Sequence, residues 1–186
     1  MSTSAKDPAR STPRQEQLRR EAARMFAAYG YHGVSIEDLG ASIGISGPGV
    51  YRHFPSKDAL LADLLVGISE DLLENGRAEV AAARTPSEAL QRLVDRHLEF
   101  SLGEPDLIRV HDRDLASLSP ADSRQVRRLQ RAYVELWVDQ LSPPLTRDEG
   151  RARAHAVFGL LNSTPHQSVT ATAPLLRSMA LAALSS

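Results

Sequence analysis

The sequence has 186 residues, which is long enough to form a small domain and a larger one with separate apolar cores. It contains no cysteine, which excludes a disulfide framework, a thiolate nucleophile and a cysteine-based zinc site. The net charge is −1, yet residues 1–60 hold eight basic and six acidic side chains, while the remainder holds fourteen and seventeen. A mildly basic N-terminal part is compatible with a DNA-binding surface.

The N-terminus lacks the apolar run of a signal peptide, and no apolar stretch is long enough to cross a bilayer. We therefore expect a cytoplasmic protein without a membrane partner. Residues 1–11 are polar and show no periodicity, so the sequence predicts a disordered tail there.

The first predicted helix follows that tail. Residues 12–15, TPRQ, form a capping box with proline at the first helical position, and Gly30 ends the helix. One face of this helix carries Leu18, Ala22, Phe26 and Tyr29. We expect it to brace the two helices that follow.

Residues 34–57, VSIEDLGASIGISGPGVYRHFPSK, predict two short helices separated by a tight turn. Ser35 and Asp38 can cap the first helix reciprocally, and Gly44 supplies the left-handed residue that ends it. Ser46 can cap the second helix, which is expected to carry residues 47–54. Its small residues and its tyrosine, arginine and histidine donors suit close contact with phosphate oxygens. The alternative is an ordinary helical hairpin in which the glycines merely permit a bend.

The run SIEDLGASIGISGPGVYRHFPSKDALLADLL, residues 35–65, closely resembles the DNA-binding domain of the TetR family of bacterial transcriptional regulators. The most specific part is YRHFPSK at residues 51–57, and the resemblance covers about residues 12–66. It implies a three-helix helix-turn-helix domain at residues 12–55 and a helical ligand-binding and dimerisation domain at residues 56–186. It also implies a homodimer that binds double-stranded operator DNA.

The resemblance further implies which residues contact the operator. The expected phosphate contacts are Ser35, Pro48, Tyr51, His53 and Lys57. Gly47, Gly49 and Arg52 are expected to face or enter the major groove. Ser46, the serine that starts their helix, is also expected to belong to the DNA-binding set. Arg52 is the side chain among them that can form a bidentate contact with guanine. The two glycines imply more readout of DNA shape and fewer direct base contacts.

The rest of the chain predicts further helices and no strand. Ser56 caps a long connecting helix that runs to about Ala83, in which Gly67 and Gly76 are weak points. Four more starts follow near residues 85, 105, 119 and 146, and a last helix begins at about Pro174. The predicted fold is therefore all-α, with about nine helices.

Polar and aromatic side chains on apolar helix faces predict an effector pocket in the second domain. The candidate ligand-binding residues are His97, His111, Tyr133, Trp137, Phe158 and Asn162. We expect a small, mainly apolar effector with one or two polar groups, and neither a metal ion nor a cofactor. Arg109 and Arg113 can receive an acidic effector, such as a carboxylate or an acyl-CoA, although a solvated pair is the preferred interpretation.

The last two long helices carry more apolar surface than one body needs, which predicts a dimer interface there. The candidate interface residues are Val157, Phe158, Leu161, Leu175, Leu176 and Met179. The alternative is that all six belong to the core of the monomer.

These features together favour a ligand-released repressor that binds a near-palindromic operator. An activator, or a module that uses the helix-turn-helix for protein contacts, is the alternative. An enzyme is a remote third interpretation, because the glycine pattern GxxGxG at residues 44–49 is not a nucleotide-binding motif and no GxSxG motif is present. The run HDRD at residues 111–114 lacks a second histidine at metal-ligand spacing.

Overall fold

The computed structural model describes residues 12–141, 145–164 and 172–185. Within these ranges it contains nine α-helices, one short 3-10 turn at Leu115–Ser117 and no strand. The helices are α1 (Pro13–Tyr29), α2 (Ile36–Ser42), α3 (Gly47–Tyr51), α4 (Lys57–Ala82), α5 (Pro86–Gly103), α6 (Pro105–Asp114), α7 (Pro120–Val138), α8 (Arg147–Leu161) and α9 (Thr172–Ser185). The all-α prediction is confirmed, whereas the predicted disordered tail lies outside the described residues.

Most predicted helix starts coincide with observed caps. Thr12, Ser35 and Thr146 each form a complete capping box, and Ser56 accepts a hydrogen bond from the backbone N–H of Ala59. Each such cap stabilises its helix by about 1 kcal/mol. Ser46 is the exception, because it occupies the cap position of α3 without a side-chain hydrogen bond.

The second helix of the helix-turn-helix is shorter than predicted. Gly44 has the expected left-handed backbone, with φ of 73°, but α3 ends at Tyr51 and leaves residues 52–54 in a turn. Pro55 explains this difference, since the residue before a proline is driven out of the helical region. Arg52 and His53 therefore project from the turn after the helix.

Two apolar cores hold the molecule together. The first lies beneath α1–α3, which we call the head, and extends into the body formed by α4–α9. The body residues that join this first core include Leu60, Leu61, Leu64, Leu65, Val110 and Val126. The second core packs α4, α5, α7, α8 and α9 around fully buried Trp137. The predicted domain boundary at residue 55 stays a prediction, but the first core continues past it.

The connecting helix α4 is unbroken across both of its glycines. Gly76 lies where α4 meets α7, and a Cβ there would come within 2.8 Å of Tyr133 Cε2 and 3.0 Å of Leu136 Cδ2. Gly67 has no neighbouring atom within 4 Å of a Cβ position. Close helix packing therefore requires glycine at residue 76, and nothing in the described packing requires it at residue 67. No described helix is long and apolar enough to cross a membrane.

This difference makes the two glycines a matched pair for a stability test. Gly76→Ala should destabilise the protein by about 1–3 kcal/mol, because the added methyl group overpacks the contact between α4 and α7. Gly67→Ala should stabilise it by up to about 1 kcal/mol through higher helix propensity. Urea unfolding at one protein concentration measures both, and changes of the same sign would contradict the packing.

Candidate DNA-binding surface and effector cavity

Four of the predicted DNA-contact residues form the exposed surface around α3. Ser46, Pro48, Tyr51 and Arg52 are exposed, and half of the Tyr51 surface is accessible. These four residues form a patch of hydroxyl, ring and guanidinium groups around α3. Hydroxyl and guanidinium donors of this kind can bind phosphate oxygens, and the guanidinium can also read guanine.

The two glycines of α3 do not face outward as predicted. Gly47 is buried, and a Cβ there would lie 3.3 Å from the Glu37 carboxylate on α2. A Cβ at Gly49 would lie 3.3 Å from Ile45 Cβ in the turn. Both glycines therefore allow α3 to pack closely on α2 and the turn.

Gly40 has a similar packing role that the sequence interpretation missed. A Cβ at this position would lie 2.6 Å from the carbonyl oxygen of Ile45. The presence of glycine at residues 40 and 44, close to the turn, was the available signal in the sequence. The contact between Gly40 and Ile45 could not be predicted from it, because that contact depends on how the turn folds back.

Ser35 acts as a helix cap in the observed geometry. Its hydroxyl donates to Asp38 Oδ2 at 2.6 Å, and its oxygen accepts the Asp38 backbone N–H at 3.0 Å. These hydrogen bonds lower the pKa of the Asp38 carboxyl. The predicted phosphate bond would require the Ser35 hydroxyl to leave its acceptor.

Lys57 is held inside the head instead of being free for a phosphate. Its ammonium donates to the carbonyl oxygens of Tyr31 and Val34, each at 2.9 Å, and lies 4.4 Å from the centre of the Tyr31 ring. It fixes the loop between α1 and α2, and one of its three N–H donors is left for another partner. His53 is half-buried at the end of the same turn.

A cavity of about 260 Å³ opens in the body between α4, α5, α6, α7 and α8. Its lining includes five of the six predicted ligand-binding residues, namely His97, His111, Tyr133, Phe158 and Asn162. Its other lining residues are Ile68, Ser69, Leu72, Phe100, Leu107, Ile108, Gln130, Val134 and His155. No lysine, arginine or carboxylate is found among the described residues that line it.

His97 is the polar centre of this cavity. Its Nε2 lies 2.9 Å from Asn162 Oδ1, which can only accept, so Nε2 carries the hydrogen. Its Nδ1 then accepts the Tyr133 hydroxyl hydrogen at 3.2 Å. Burial lowers the pKa of His97 from 6.5 to about 4 and raises that of Tyr133, so both groups are neutral at pH 7. The cavity is therefore polar but uncharged.

Aromatic rings form one wall of the cavity. Phe158 stacks on His97 with 5.1 Å between ring centres and on Tyr133 with 5.4 Å. Trp137 is not in the wall, which corrects the prediction that it binds the ligand. It packs edge-on behind Phe158 at 5.0 Å and is fully buried. Trp137 lies on the same helical face as Tyr133, as predicted, but it is one helical turn further along α7 and sits behind the cavity wall.

The outer rim of the cavity contains two residues that the sequence interpretation missed. Gln130 on α7 lies against His111, and exposed His155 on α8 lies beside Phe158. Each precedes a predicted lining residue by three positions, which places it on the same helical face. That spacing was the available signal.

The six predicted dimer residues lie in three different environments. Val157, Leu161 and Leu176 are buried in the second core, so the monomer itself covers them. Leu175 and Met179 are exposed on α9, by 58% and 47%. Phe158, the sixth predicted residue, belongs to the cavity wall.

Arg113 joins the body to the head. Its guanidinium donates to the carbonyl oxygens of Phe26 and Ala27 at the end of α1. The buried carboxylate of Asp114 accepts two hydrogen bonds from the same guanidinium, at 3.0 and 3.1 Å. Arg113 is therefore exposed and paired with Asp114, as the preferred sequence interpretation expected, but its contact with the backbone of α1 was not predicted.

Two family models match the chain. Residues 18–64 match the bacterial regulatory proteins of the tetR family, and residues 83–166 match the tetracyclin repressor-like C-terminal domain. The chain belongs to the TetR family. It is a DNA-binding regulator of transcription, as the residues of the helix-turn-helix predicted.

Individual TetR-family proteins are similar over most of the chain. The HTH-type transcriptional repressor KstR2 of Rhodococcus jostii (strain RHA1) is 26% identical over 139 residues, which cover 74% of this chain and 68% of the relative. A solved TetR-family regulator from Bordetella parapertussis 12822 has a TM-score of 0.82 at 23% identity, covering 91% of this chain and 92% of the other.

A third similar protein was solved with both kinds of partner. The structure of AibR in complex with isovaleryl coenzyme A and operator DNA has a TM-score of 0.77 at 17% identity. The similarity covers 92% of this chain and 97% of that one. At such identities the two solved structures establish the shared fold.

Acidification should destabilise this TetR-family protein through His97. The unfolded chain takes up a proton near pH 6.5 and the folded chain only near pH 4, so stability falls as the pH drops through this window. The difference corresponds to about 3 kcal/mol at pH 4. Unfolding at pH 7, 5.5 and 4 should show a weaker pH dependence for His97→Gln than for the wild type. His111→Gln is the control. Equal pH dependence of the free energy of unfolding in the two variants would contradict the prediction.

Proposed function

We propose that this TetR-family protein is a repressor that binds a near-palindromic operator as a homodimer and is released by a small effector. The observation that carries the proposal is that α6 touches both functional regions. Leu107, Ile108 and His111 line the cavity, while Arg113 holds the end of α1. An effector that displaces α6 therefore acts on the head through a hydrogen-bonded contact.

Helix α4 supplies a second connection. Ile68, Ser69 and Leu72 line the cavity, and the start of the same helix packs in the core of the head. Release requires the effector to bind the DNA-incompetent arrangement more tightly, because equal affinity for both arrangements shifts nothing. Repression is supported by the KstR2 relative, which is a repressor. A cytoplasmic location is part of the proposal, because the protein must reach operator DNA.

The proposed effector is small and mainly apolar, with one or two polar groups. The uncharged lining and the stacked wall of Phe158 support this choice, since burying an unpaired charge there would be unfavourable. An acyl-CoA-like effector agrees with the solved complex of AibR with isovaleryl coenzyme A. Its acyl group would enter the cavity, where the amide of Asn162 can contact a carbonyl oxygen.

The proposed dimer uses the outer surfaces of α8 and α9. On α9 the exposed residues Leu175 and Met179 are four positions apart and share one face. On α8, Ala156 and Gly159 are exposed, and no atom lies within 4 Å of a Cβ position at Gly159, so a partner helix can approach closely. A two-fold pair presents two heads about 34–36 Å apart, or a small multiple of a helical turn, which requires a near-palindromic site.

Operator binding should depend on the exposed side chains at the C-terminal end of α3 and in the turn that follows it. We expect Tyr51→Ala and Arg52→Ala each to weaken binding to DNA from upstream of the gene by about 10- to 100-fold, because each removes a phosphate or base contact. Fluorescence anisotropy at several salt concentrations measures the affinity and its salt dependence.

Tyr29→Ala is the matched control, because Tyr29 is 65% exposed on the last turn of α1, the turn that Arg113 of α6 contacts. It should leave operator affinity within about twofold of the wild type. Equal losses in the tyrosine variants would show that this surface is wrongly assigned. Weak, unsaturable binding by the wild type would reject the regulator itself in favour of a protein-interaction module.

Dimerisation should depend on the exposed part of α9. Leu175→Glu combined with Met179→Glu places two charges in the proposed contact and should convert the dimer to a monomer at micromolar concentration. Leu102→Glu is the control, since Leu102 is 43% exposed on α5 and lies outside the proposed interface. Light scattering measures the mass. A wild-type monomer, or an undisturbed dimer in the double variant, would contradict the interface.

A further inference from the structure

The solvent-facing side of α7 carries Arg124, Arg127, Arg128 and Arg131. Residues three and four positions apart are neighbours on a helix, so the four guanidinium groups share one exposed face. Residues 123–134 contain no carboxylate, and within the described chain none of the four arginines forms a salt bridge. Like charges at this spacing destabilise a helix. This arginine face therefore lacks the counter-charge that would offset its repulsion.

Arginines on the neighbouring helices are paired. Arg151 on α8 binds Glu135 of α7 with 2.5 Å between nitrogen and oxygen, and Arg147 lies 3.6 Å from the same carboxylate. Arg177 on α9 forms a bidentate pair with Asp95. The C-terminal part of α7 thus supplies its acidic group to another helix, while residues 123–134 carry only positively charged groups.

The arginine face lies beside the opening of the cavity. Gln130 and Val134 line the cavity from α7. Arg127 precedes Gln130 by one turn, and Arg131 precedes Val134 by three residues, so both lie next to lining residues. Across the opening, His155 is exposed. Arg127 and Arg131 are therefore the arginines of this face that lie one helical turn from cavity-lining residues of α7.

We propose that the effector is an acyl group attached to a phosphorylated carrier, the chemistry of an acyl-CoA, with the phosphates bound by Arg127 and Arg131. This inference rests on the proposed function and specifies its effector. No lysine or arginine among the described residues lines the cavity, so a phosphate buried there would lack the paired charge that it needs. Guanidinium groups match phosphate oxygens in geometry and charge. A volume of 260 Å³ equals about nine water molecules at about 30 Å³ each, which suits an acyl group of about eight carbons.

Operator DNA is the other polyanion available to this face, but its position argues against that partner. Gln125, within the arginine face, donates to Glu70 on α4 at 3.1 Å. Glu70 follows the start of α4 at Lys57 by thirteen residues, or about 20 Å of helix. The arginine face therefore lies on the body beside the middle of α4, although Val126 beneath it joins the first core.

Calorimetric titration with octanoyl-CoA, coenzyme A and octanoate tests the proposal. The wild type should bind octanoyl-CoA at least about tenfold more tightly than octanoate, and higher salt should weaken only the binding of octanoyl-CoA. Arg127→Gln combined with Arg131→Gln should weaken the affinity for octanoyl-CoA about tenfold and leave the affinity for octanoate unchanged. Arg124→Gln combined with Arg128→Gln removes the same charge further from the opening and should lose less than about threefold.

Several results would overturn the proposal. One is that no acyl-CoA from butyryl-CoA to dodecanoyl-CoA binds. Another is that octanoyl-CoA and octanoate bind with equal affinity. A third is that the two double variants lose affinity for octanoyl-CoA equally. Loss of operator affinity in the Arg127 and Arg131 variant, without loss of octanoyl-CoA binding, would assign this face to DNA. Operator binding by the wild type is measured separately. Its absence would reject the repressor function while leaving the titration result intact.

Discussion

The connection between head and body depends on one buried carboxylate. Asp114 is 5% exposed, so an unpaired charge there would be strongly unfavourable, and Arg113 compensates it with two hydrogen bonds. The same guanidinium donates to the carbonyl oxygens of Phe26 and Ala27 in the last turn of α1, at the negative end of the helix dipole. Glycine is favoured at residue 30 by its positive φ of 83° and not by crowding, since a Cβ there would make only an ordinary contact of 3.8 Å with the guanidinium carbon.

In the proposed function, this contact couples the cavity to the DNA-binding head. Helix α6 has only ten residues, and its cavity-lining His111 and its clamping Arg113 are two positions apart. A shift that satisfies an effector at one side therefore strains the hydrogen bonds at the other. Coupling between two binding sites is reciprocal, so under the proposed function operator DNA must weaken effector binding by the same factor by which the effector weakens operator binding.

The sequence predicted the parts of this structure that depend on neighbouring residues. Caps such as Ser35 with Asp38, the left-handed Gly44 and the inward side of His97 follow from spacings of three or four residues. The bonds of Lys57 and Arg113 to backbone carbonyls were not predictable, because every residue carries that acceptor and none marks it in the sequence. Likewise, the partners of His97 lie 36 and 65 residues away.

Periodicity also fails to distinguish a face covered by the same chain from one covered by a second copy. Helix α8 shows why: Val157 enters the core, Phe158 forms the cavity wall, and Gly159 faces solvent. Three consecutive residues thus serve three surfaces, and His155 lies both on the cavity rim and on the exposed side of the helix. A partner helix packed on that side would contact the rim directly. In such a dimer, effector entry and subunit association act on the same turn of α8 and cannot be independent.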